Sequence, residues 1–163
     1  MQIHSLSHDS YFEDEYSLIG IHTTLEDYKL AYLLNKNLST NFYKLKKELV
    51  IENNQNKAFF SIFNYQNTTY EYDWHLIANI SKTENSTSEN QLLLTTETKT
   101  YLIPEKKNVD FFIKISGEVE PSFISKTIKK IIETHFILVV YPIGYYQHPD
   151  GKQRLQYKAV DQT

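Results

Sequence analysis

The stretch Tyr101-Leu-Ile-Pro-Glu-Lys-Lys-Asn-Val-Asp-Phe-Phe112 carries the most distinctive local pattern in the sequence. Pro104 has no amide hydrogen to donate and holds the residue before it in an extended conformation, so a strand that reaches Ile103 must end there. An apolar run resumes at Val109. The pattern predicts a hairpin in which residues 104–108 form the turn between two strands.

Two strand–helix–strand patterns lie on either side of the middle of the chain. The first has a strand at 16–22, a helix at 24–38 and a strand at 41–51; the second has a strand from 111, a helix at 121–136 and a strand at 137–143. Two such units form a split βαβ fold when their first strands lie side by side and both helices cover one face. The sequence therefore predicts an α+β fold with a largely antiparallel sheet and two helices, ferredoxin-like and elaborated by an inserted hairpin. The alternative is a three-layer α/β sandwich.

The inserted hairpin is predicted between these units. Residues 70–80 alternate apolar and polar side chains, as a half-buried strand does, and pair with a strand at 58–65. Residues 81–91 are polar and of low complexity, which predicts a loop. The chain of 163 residues predicts one α+β domain at 1–143, a short arm at 3–6, and a C-terminal tail or small hairpin at 144–163.

Composition excludes several classes of function. The chain has no Cys, which removes thiol nucleophiles and thiolate metal sites. Its net charge is −3 and Arg154 is its only Arg, so it lacks the basic footprint of a DNA-binding protein. The first ten residues lack the basic and apolar regions of a signal peptide, and no apolar run approaches the length of a membrane span. We therefore expect a cytoplasmic protein without membrane or DNA partners.

The first predicted helix has an apolar arc wider than a surface helix needs. A helix buried between two layers would explain this width, and Thr23 or Thr24 would begin it as a capping box. The other interpretation is that Tyr28 and Tyr32 present a surface to a partner.

Candidate catalytic and metal-binding groups are few. Glu105 and Asp110 flank the predicted turn and could approach each other, but a turn tip offers no cleft for acid–base chemistry. His22 ends a strand next to a predicted helix, where it caps the helix or orients a ligand. His4 and His8 have the spacing of a helical metal pair, but no third ligand accompanies them. The four Gly are isolated, so no phosphate-binding loop exists, and we predict neither a cofactor nor a metal.

Residues 41–51 carry the one pattern that suggests nucleic acid. Lys44, Lys46 and Lys47 interleave with Tyr43 and Leu45 on a predicted strand. RNA-binding sheets combine aromatic and basic side chains in this way. The same alternation describes a solvated edge strand that Lys residues protect from aggregation.

Two stretches together resemble a known family. One is Ile103-Pro104-Glu105, followed after three residues by Val109-Asp110, and the other is residues 12–32, Phe-Glu-Asp-Glu-Tyr-Ser-Leu-Ile-Gly-Ile-His-Thr-Thr-Leu-Glu-Asp-Tyr-Lys-Leu-Ala-Tyr. They resemble the small bacterial IPExxxVDY family, which is named after this motif. The likeness covers residues 1–143, and Phe111 stands where the family pattern has Tyr. The resemblance implies a small bacterial protein and brings no activity with it.

Together these patterns favour a non-enzymatic interaction or regulatory module that binds a protein partner or associates with itself. The candidate partner-binding residues are Tyr28, Tyr32, Pro104 and Glu105. One alternative is an RNA-binding protein. The other is an enzyme with a small pocket near the first strand–helix junction, at His22, Glu26 and Asp110.

Overall fold

The computed structural model describes residues 15–53, 56–70, 72–85, 96–117 and 119–147. The elements in chain order are β1 (Glu15–Thr23), α1 (Asp27–Leu38), β2 (Tyr43–Lys44), β3 (Leu49–Asn53), β4 (Asn56–Phe60), β5 (Ile62–Asn67), β6 (Tyr72–Ala78), β7 (Ile80–Asn85), β8 (Thr96–Tyr101), β9 (Phe111–Ser116), α2 (Pro121–Ile132) and β10 (Ile137–Gln147). The predicted arm at 3–6, the pair His4 and His8, and residues 148–163 of the predicted tail lie outside the described residues, whereas residues 144–147 of that tail belong to β10.

Six strands form an antiparallel sheet in the order β10-β1-β9-β6-β5-β2. Four of them, β10-β1-β9-β6, have the order of a split βαβ fold, because β1 and β9 begin the two halves and lie side by side in the centre. Strands β5 and β2 extend the sheet beyond β6. The prediction of an α+β fold with two helices and a largely antiparallel sheet is confirmed.

Both helices cover the same face of this sheet. Leu30 and Leu34 of α1 and Ile131 of α2 are buried against Ile19 and Ile21 of β1. Helix α1 begins at Asp27, and its N-cap residue makes no side-chain cap hydrogen bond, so the predicted capping box is wrong. The Thr23 hydroxyl donates instead to the carbonyl oxygen of Phe136 at 2.7 Å, which ties β1 to the chain after α2.

Two of the predicted strands are broken in the structure because the chain passes between sheets. The strand predicted at 41–51 separates into β2, which joins the six-stranded sheet, and β3, which pairs with β4. The strand predicted at 58–65 separates at Ser61 into β4 and β5. The Ser61 carbonyl accepts a hydrogen bond from the amide of Ala78 at 3.0 Å, and this bond keeps the break attached to the main sheet.

The hairpin predicted around Pro104 is also wrong. Strand β8 pairs with β7, and β9 pairs with β1 and β6, so the strands before and after the turn belong to different sheets. Pro104–Lys106 is a short 3₁₀ helix. Strand β7 occupies the first half of the segment predicted as a loop at 81–91, and residues 86–91 of that segment lie outside the described part.

Candidate functional site

Residues 103–110, here called the motif segment, lie on the face of the sheet opposite the helices. Ile103 and Val109 are buried there in a small apolar cluster with residues of β1, β9 and β10, namely Tyr16, Leu18, Phe112 and Ile143. The motif segment therefore covers one end of the sheet face that lies opposite the helices.

Asn79, which follows β6, holds the motif segment in place. Its fully buried side chain donates to the carbonyl oxygens of Lys106 at 2.9 Å and Val109 at 2.7 Å, and accepts from the amide of Ile103 at 2.8 Å. Its main chain also bonds the amide of Leu102 and the carbonyl of Asp110. One side chain thus satisfies three backbone groups of a buried turn, which would otherwise cost free energy.

Gly20 of β1 provides the space that the motif segment needs. A Cβ atom at this position would lie 3.0 Å from the Cδ1 atom of Ile143 and 3.1 Å from the Cγ2 atom of Val109. A glycine inside a strand often marks such a close approach of another segment. Gly20 of the stretch 12–32 and Val109 of the motif segment therefore meet in one packing contact.

His22 and Asp110 form a pair of ionisable side chains in hydrogen-bond contact. The Nδ1 atom of His22 lies 2.6 Å from the Oδ2 atom of Asp110, which also accepts the backbone amide of Thr23 at 2.9 Å. The His22 side chain is 44% exposed, so its other ring nitrogen can reach solvent. Burial, and next the charge of Asp110, raise the pKa of the nearby Tyr141 hydroxyl. A carboxylate that orients a histidine is one part of an acid–base site.

The structure separates the two carboxylates that the sequence placed together. Asp110 bonds His22, whereas Glu105 is exposed and forms no hydrogen bond or ion pair with any described residue. Pro104 is exposed beside it as the first residue of the 3₁₀ helix. Of the predicted partner-binding residues in the motif, both are therefore accessible, but neither belongs to a cluster.

Tyr28 and Tyr32 lie on the solvent side of α1. Their exposed fractions are 58% and 67%, so α1 is a surface helix and is not buried between two layers. The Nζ atom of Lys29 lies 5.6 Å from the centre of the Tyr28 ring, within the range of a cation–π contact. The two side chains lie one helical turn apart, and both are accessible.

A second and larger apolar surface lies where α2 joins β10. Within eight consecutive residues, four large apolar side chains are exposed by about half or more, namely Ile132, Phe136, Leu138 and Val139. Strand β10 is an edge of the main sheet and has only β1 as a described neighbour. We call this surface, the outer side of β10 with Ile132 and Phe136, the β10 edge. The sequence predicted the strand but gave no sign that β1 would be its only neighbour among the described strands.

Phe136 occupies an unusual backbone conformation at the β10 edge. Its φ angle is +69°, in the left-handed region that costs a side chain with a Cβ atom about 1 kcal/mol. The exposed fraction of its side chain is 66%, so burial does not compensate this cost. Strained residues of this kind concentrate at binding sites.

The opposite edge of the sheet is built differently. Strand β2 has two residues, and Lys44 forms ion pairs with Asp27 at 3.4 Å and Glu48 at 3.9 Å. Lys46 and Lys47 lie outside the strand, so the predicted alternation of basic and aromatic side chains along one strand is absent. Very short edge strands and Lys side chains are two ways in which proteins prevent edge-to-edge pairing.

Polar side chains are buried on the sheet face that the motif segment covers. His75 of β6 lies opposite Lys114 of β9, and both are nearly inaccessible. Burial, assisted by the charge of Lys114, lowers the pKa of His75 from 6.5 to about 4. The Nζ atom of Lys114 lies 4.9 Å from the centre of the Tyr16 ring, in a cation–π contact.

Comparisons with protein-family models, with curated proteins and with solved structures found no match to this chain. The IPExxxVDY resemblance therefore stays a prediction. In the described part of the chain, no three His, Asp or Glu side chains group together as metal ligands would. Neither described α-helix is long and apolar enough to cross a bilayer.

Proposed function

We propose that the protein is a non-enzymatic interaction module and that the β10 edge is its binding surface. The observation that carries this proposal is the contrast between the two edges of one sheet. The β2 edge is two residues long and carries Lys44, a residue type that opposes edge-to-edge pairing. Strand β10, in contrast, runs for eleven residues and contains no charged residue. An open apolar edge strand offers unpaired backbone donors and acceptors to another strand.

The apolar side chains beside this edge support the same proposal. Leu138 is the extra residue of a bulge in β10, between Ile137 opposite Thr23 and Val139 opposite His22, and the side chains of both Leu138 and Val139 are exposed. Phe136 and Ile132 widen the surface towards the end of α2. Exposed apolar patches of this kind mark protein interaction sites.

Affinity purification with matched variants tests this proposal. The wild-type chain, Leu138→Lys and a control, Val50→Lys, are each expressed with an affinity tag in the native cell. Val50 is also an exposed apolar strand residue, but it lies on β3, outside the main sheet. We expect a protein, or untagged copies of this chain, to be retained by the wild type and the control and lost from Leu138→Lys. Equal retention by all three forms would refute a binding role for the β10 edge.

Acid–base catalysis at His22 is a second candidate function, because Asp110 orients the ring and leaves its other nitrogen towards solvent. Hydrolysis of p-nitrophenyl acetate tests the reactivity of this nitrogen. We expect His22→Gln to lower the rate, whereas His135→Gln, which changes an exposed histidine outside the pair, leaves it unchanged. A wild-type rate no greater than that of His22→Gln would remove this candidate.

A further inference from the structure

We propose that the β10 edge binds an extended segment of another protein in which acidic and apolar side chains alternate. This inference rests on the proposed function of the β10 edge and adds the chemistry of the partner. The acidic side chains of the bound segment face α2, where exposed Lys residues lie beside the edge. Its apolar side chains face Val139 on the other side of the sheet.

Helix α2 carries three exposed Lys residues whose charges have no carboxylate partner. Lys126, Lys129 and Lys130 form no ion pair within the described part of the chain, and Glu133 is the only acidic residue at 121–136. Four Lys residues elsewhere lie 2.6–3.7 Å from a carboxylate oxygen, namely Lys29, Lys44, Lys57 and Lys82. The outer side of α2 is therefore positive, although the whole chain has a net charge of −3.

The packing of α2 shows which of its sides faces the β10 edge. Phe123 packs against Trp74 of β6, with the ring centres 5.9 Å apart. Ile132 follows about two and a half helical turns later, so it lies on the side of α2 that faces away from β6 and towards β10. Lys126 and Lys129 precede Ile132 at three-residue spacing, so they form one row with it along the helix. The positive surface thus leads directly to the β10 edge.

The register of β10 assigns its side chains to the two faces of the sheet. Val139 lies opposite His22, on the face that the motif segment covers. Val140 lies opposite Ile21 and is buried on the helix side. An extended segment along β10 alternates its own side chains between the same two faces. Every second side chain therefore points to the side of Lys129, and the others point to the side of Val139.

Charge complementarity favours carboxylates at the positions that face α2. An Asp or Glu there would pair with Lys129 next to apolar surface, where less water screens the two charges than in bulk solvent. A basic segment would place like charges together, which costs free energy. On the other face, Val139 is 49% exposed, and an apolar side chain of the partner would cover it.

Fluorescence anisotropy with two labelled peptides tests the partner chemistry. One peptide consists of four Val-Glu repeats and the other of four Val-Lys repeats, so they share the alternation and differ in charge. We expect the wild-type chain to bind the acidic peptide at least about tenfold more tightly, with an affinity that falls as salt is added.

Charge reversal at matched positions tests the role of α2. Lys129→Glu should weaken binding of the acidic peptide at least about fivefold, whereas Lys36→Glu should leave it unchanged. Both residues are exposed Lys residues in the last turn of a helix, and neither forms an ion pair with a described residue. A circular dichroism melt confirms that each variant is folded before it is compared.

Three outcomes overturn the inference. The first is that neither peptide binds or that both bind equally, and the second is that Lys129→Glu binds the acidic peptide as the wild type does. The third is that single-stranded oligouridylate binds more tightly than the acidic peptide, which would assign the Lys residues of α2 to nucleic acid.

Leu138→Ser separates this inference from the proposed function, because it removes an apolar side chain of the β10 edge without adding a charge. If it weakens binding of the acidic peptide, the peptide occupies the β10 edge. If affinity purification shows a partner that Leu138→Ser loses, but the acidic peptide is not preferred, the β10 edge remains a binding surface and only the partner chemistry is wrong. If neither partner capture nor peptide binding depends on Leu138, both proposals fail.

Discussion

The motif segment buries its apolar side chains, whereas the β10 edge exposes them. The motif segment is distinctive in sequence, yet its apolar residues Ile103 and Val109 are buried and its backbone is held by Asn79. Strand β10 reads as an ordinary core strand, yet Leu138 and Val139 are exposed. A conspicuous motif can thus reflect a packing requirement, while the proposed binding surface carries no motif. Changes in the first region should affect stability, and changes in the second should affect association.

Replacement of Asn79 should have the largest effect. Asn79→Ala leaves two carbonyls and one amide of the motif segment buried without partners, and we expect a loss of about 3–5 kcal/mol in the free energy of unfolding. Urea denaturation measures this loss. Asn37→Ala, which removes one side-chain hydrogen bond to Thr134, should cost about 1 kcal/mol.

The Asn79 result also tests the separation of the two regions. The folded fraction of Asn79→Ala should keep the association behaviour of the wild type. A variant that remains stable but fails to associate would reverse the roles assigned to the motif segment and the β10 edge.

Acid should destabilise the sheet face that the motif segment covers. Because burial lowers the pKa of His75 to about 4, the unfolded chain binds a proton at His75 between pH 6.5 and 4 that the folded chain does not. The stability present above pH 6.5 is therefore lost as the pH falls towards 4, by roughly 3 kcal/mol.

Denaturation at a series of pH values measures this loss in the wild type and two variants. His75→Gln should flatten the stability profile between pH 6.5 and 4, whereas His135→Gln, which changes an exposed histidine, should not. An unchanged profile in His75→Gln would contradict the buried environment of this residue.

Gly20→Ala tests the close approach of the motif segment to β1. The added methyl group would lie 3.1 Å from Val109 and 3.0 Å from Ile143, so one of them must move. We expect a loss of about 1–2 kcal/mol by denaturation, as for other overpacked cores. In a double-mutant cycle, Val109→Ala should relieve part of the effect of Gly20→Ala, and strictly additive losses would argue against this contact.

Periodicity predicted the parts of the fold that depend on local order. It gave the two helices, the strands β1, β9 and β10 next to them and the adjacency of β1 and β9, because amphipathic patterns and the split βαβ connection are properties of the sequence itself. It placed both ends of α1 within three residues. The α+β class followed from these elements alone.

The errors concern strand pairing, which joins residues that are far apart in the chain. Nothing near Pro104 shows that β8 pairs with β7 while β9 pairs with β1 and β6. The sequence grouped His22 with Asp110 only in the alternative of an enzyme pocket at the first strand–helix junction, and the contact between their side chains spans 88 residues. Asn79 offered a weak signal, as an amide side chain that interrupts an apolar run. The position of β10 at the edge of the described sheet depends on strand order, which the alternation of apolar and polar residues does not determine.

Phe136→Asn should raise the free energy of unfolding and weaken association. Asn tolerates the left-handed conformation better than Phe, so we expect a gain of about 0.5 kcal/mol in the free energy of unfolding. Association should weaken, because the exposed ring is lost from the β10 edge. Phe59→Asn is the matched control: Phe59 is an exposed residue of β4, where the same change should lower stability and leave association unaltered. Weakened stability and unaltered association in Phe136→Asn would contradict the role of this residue.

Glu105→Ala should have the smallest effect, and it tests most directly whether the motif segment serves only packing. The side chain is exposed and makes no hydrogen bond or ion pair with the described part of the chain, so stability should stay within about 0.5 kcal/mol of the wild type. If the motif serves only packing, partner capture through the β10 edge should also be unchanged. A loss of captured partner in Glu105→Ala, with stability intact, would show that the motif carries a binding function as well. The binding surface would then include the motif segment, and the exposure of Pro104 next to Glu105 would become part of its explanation.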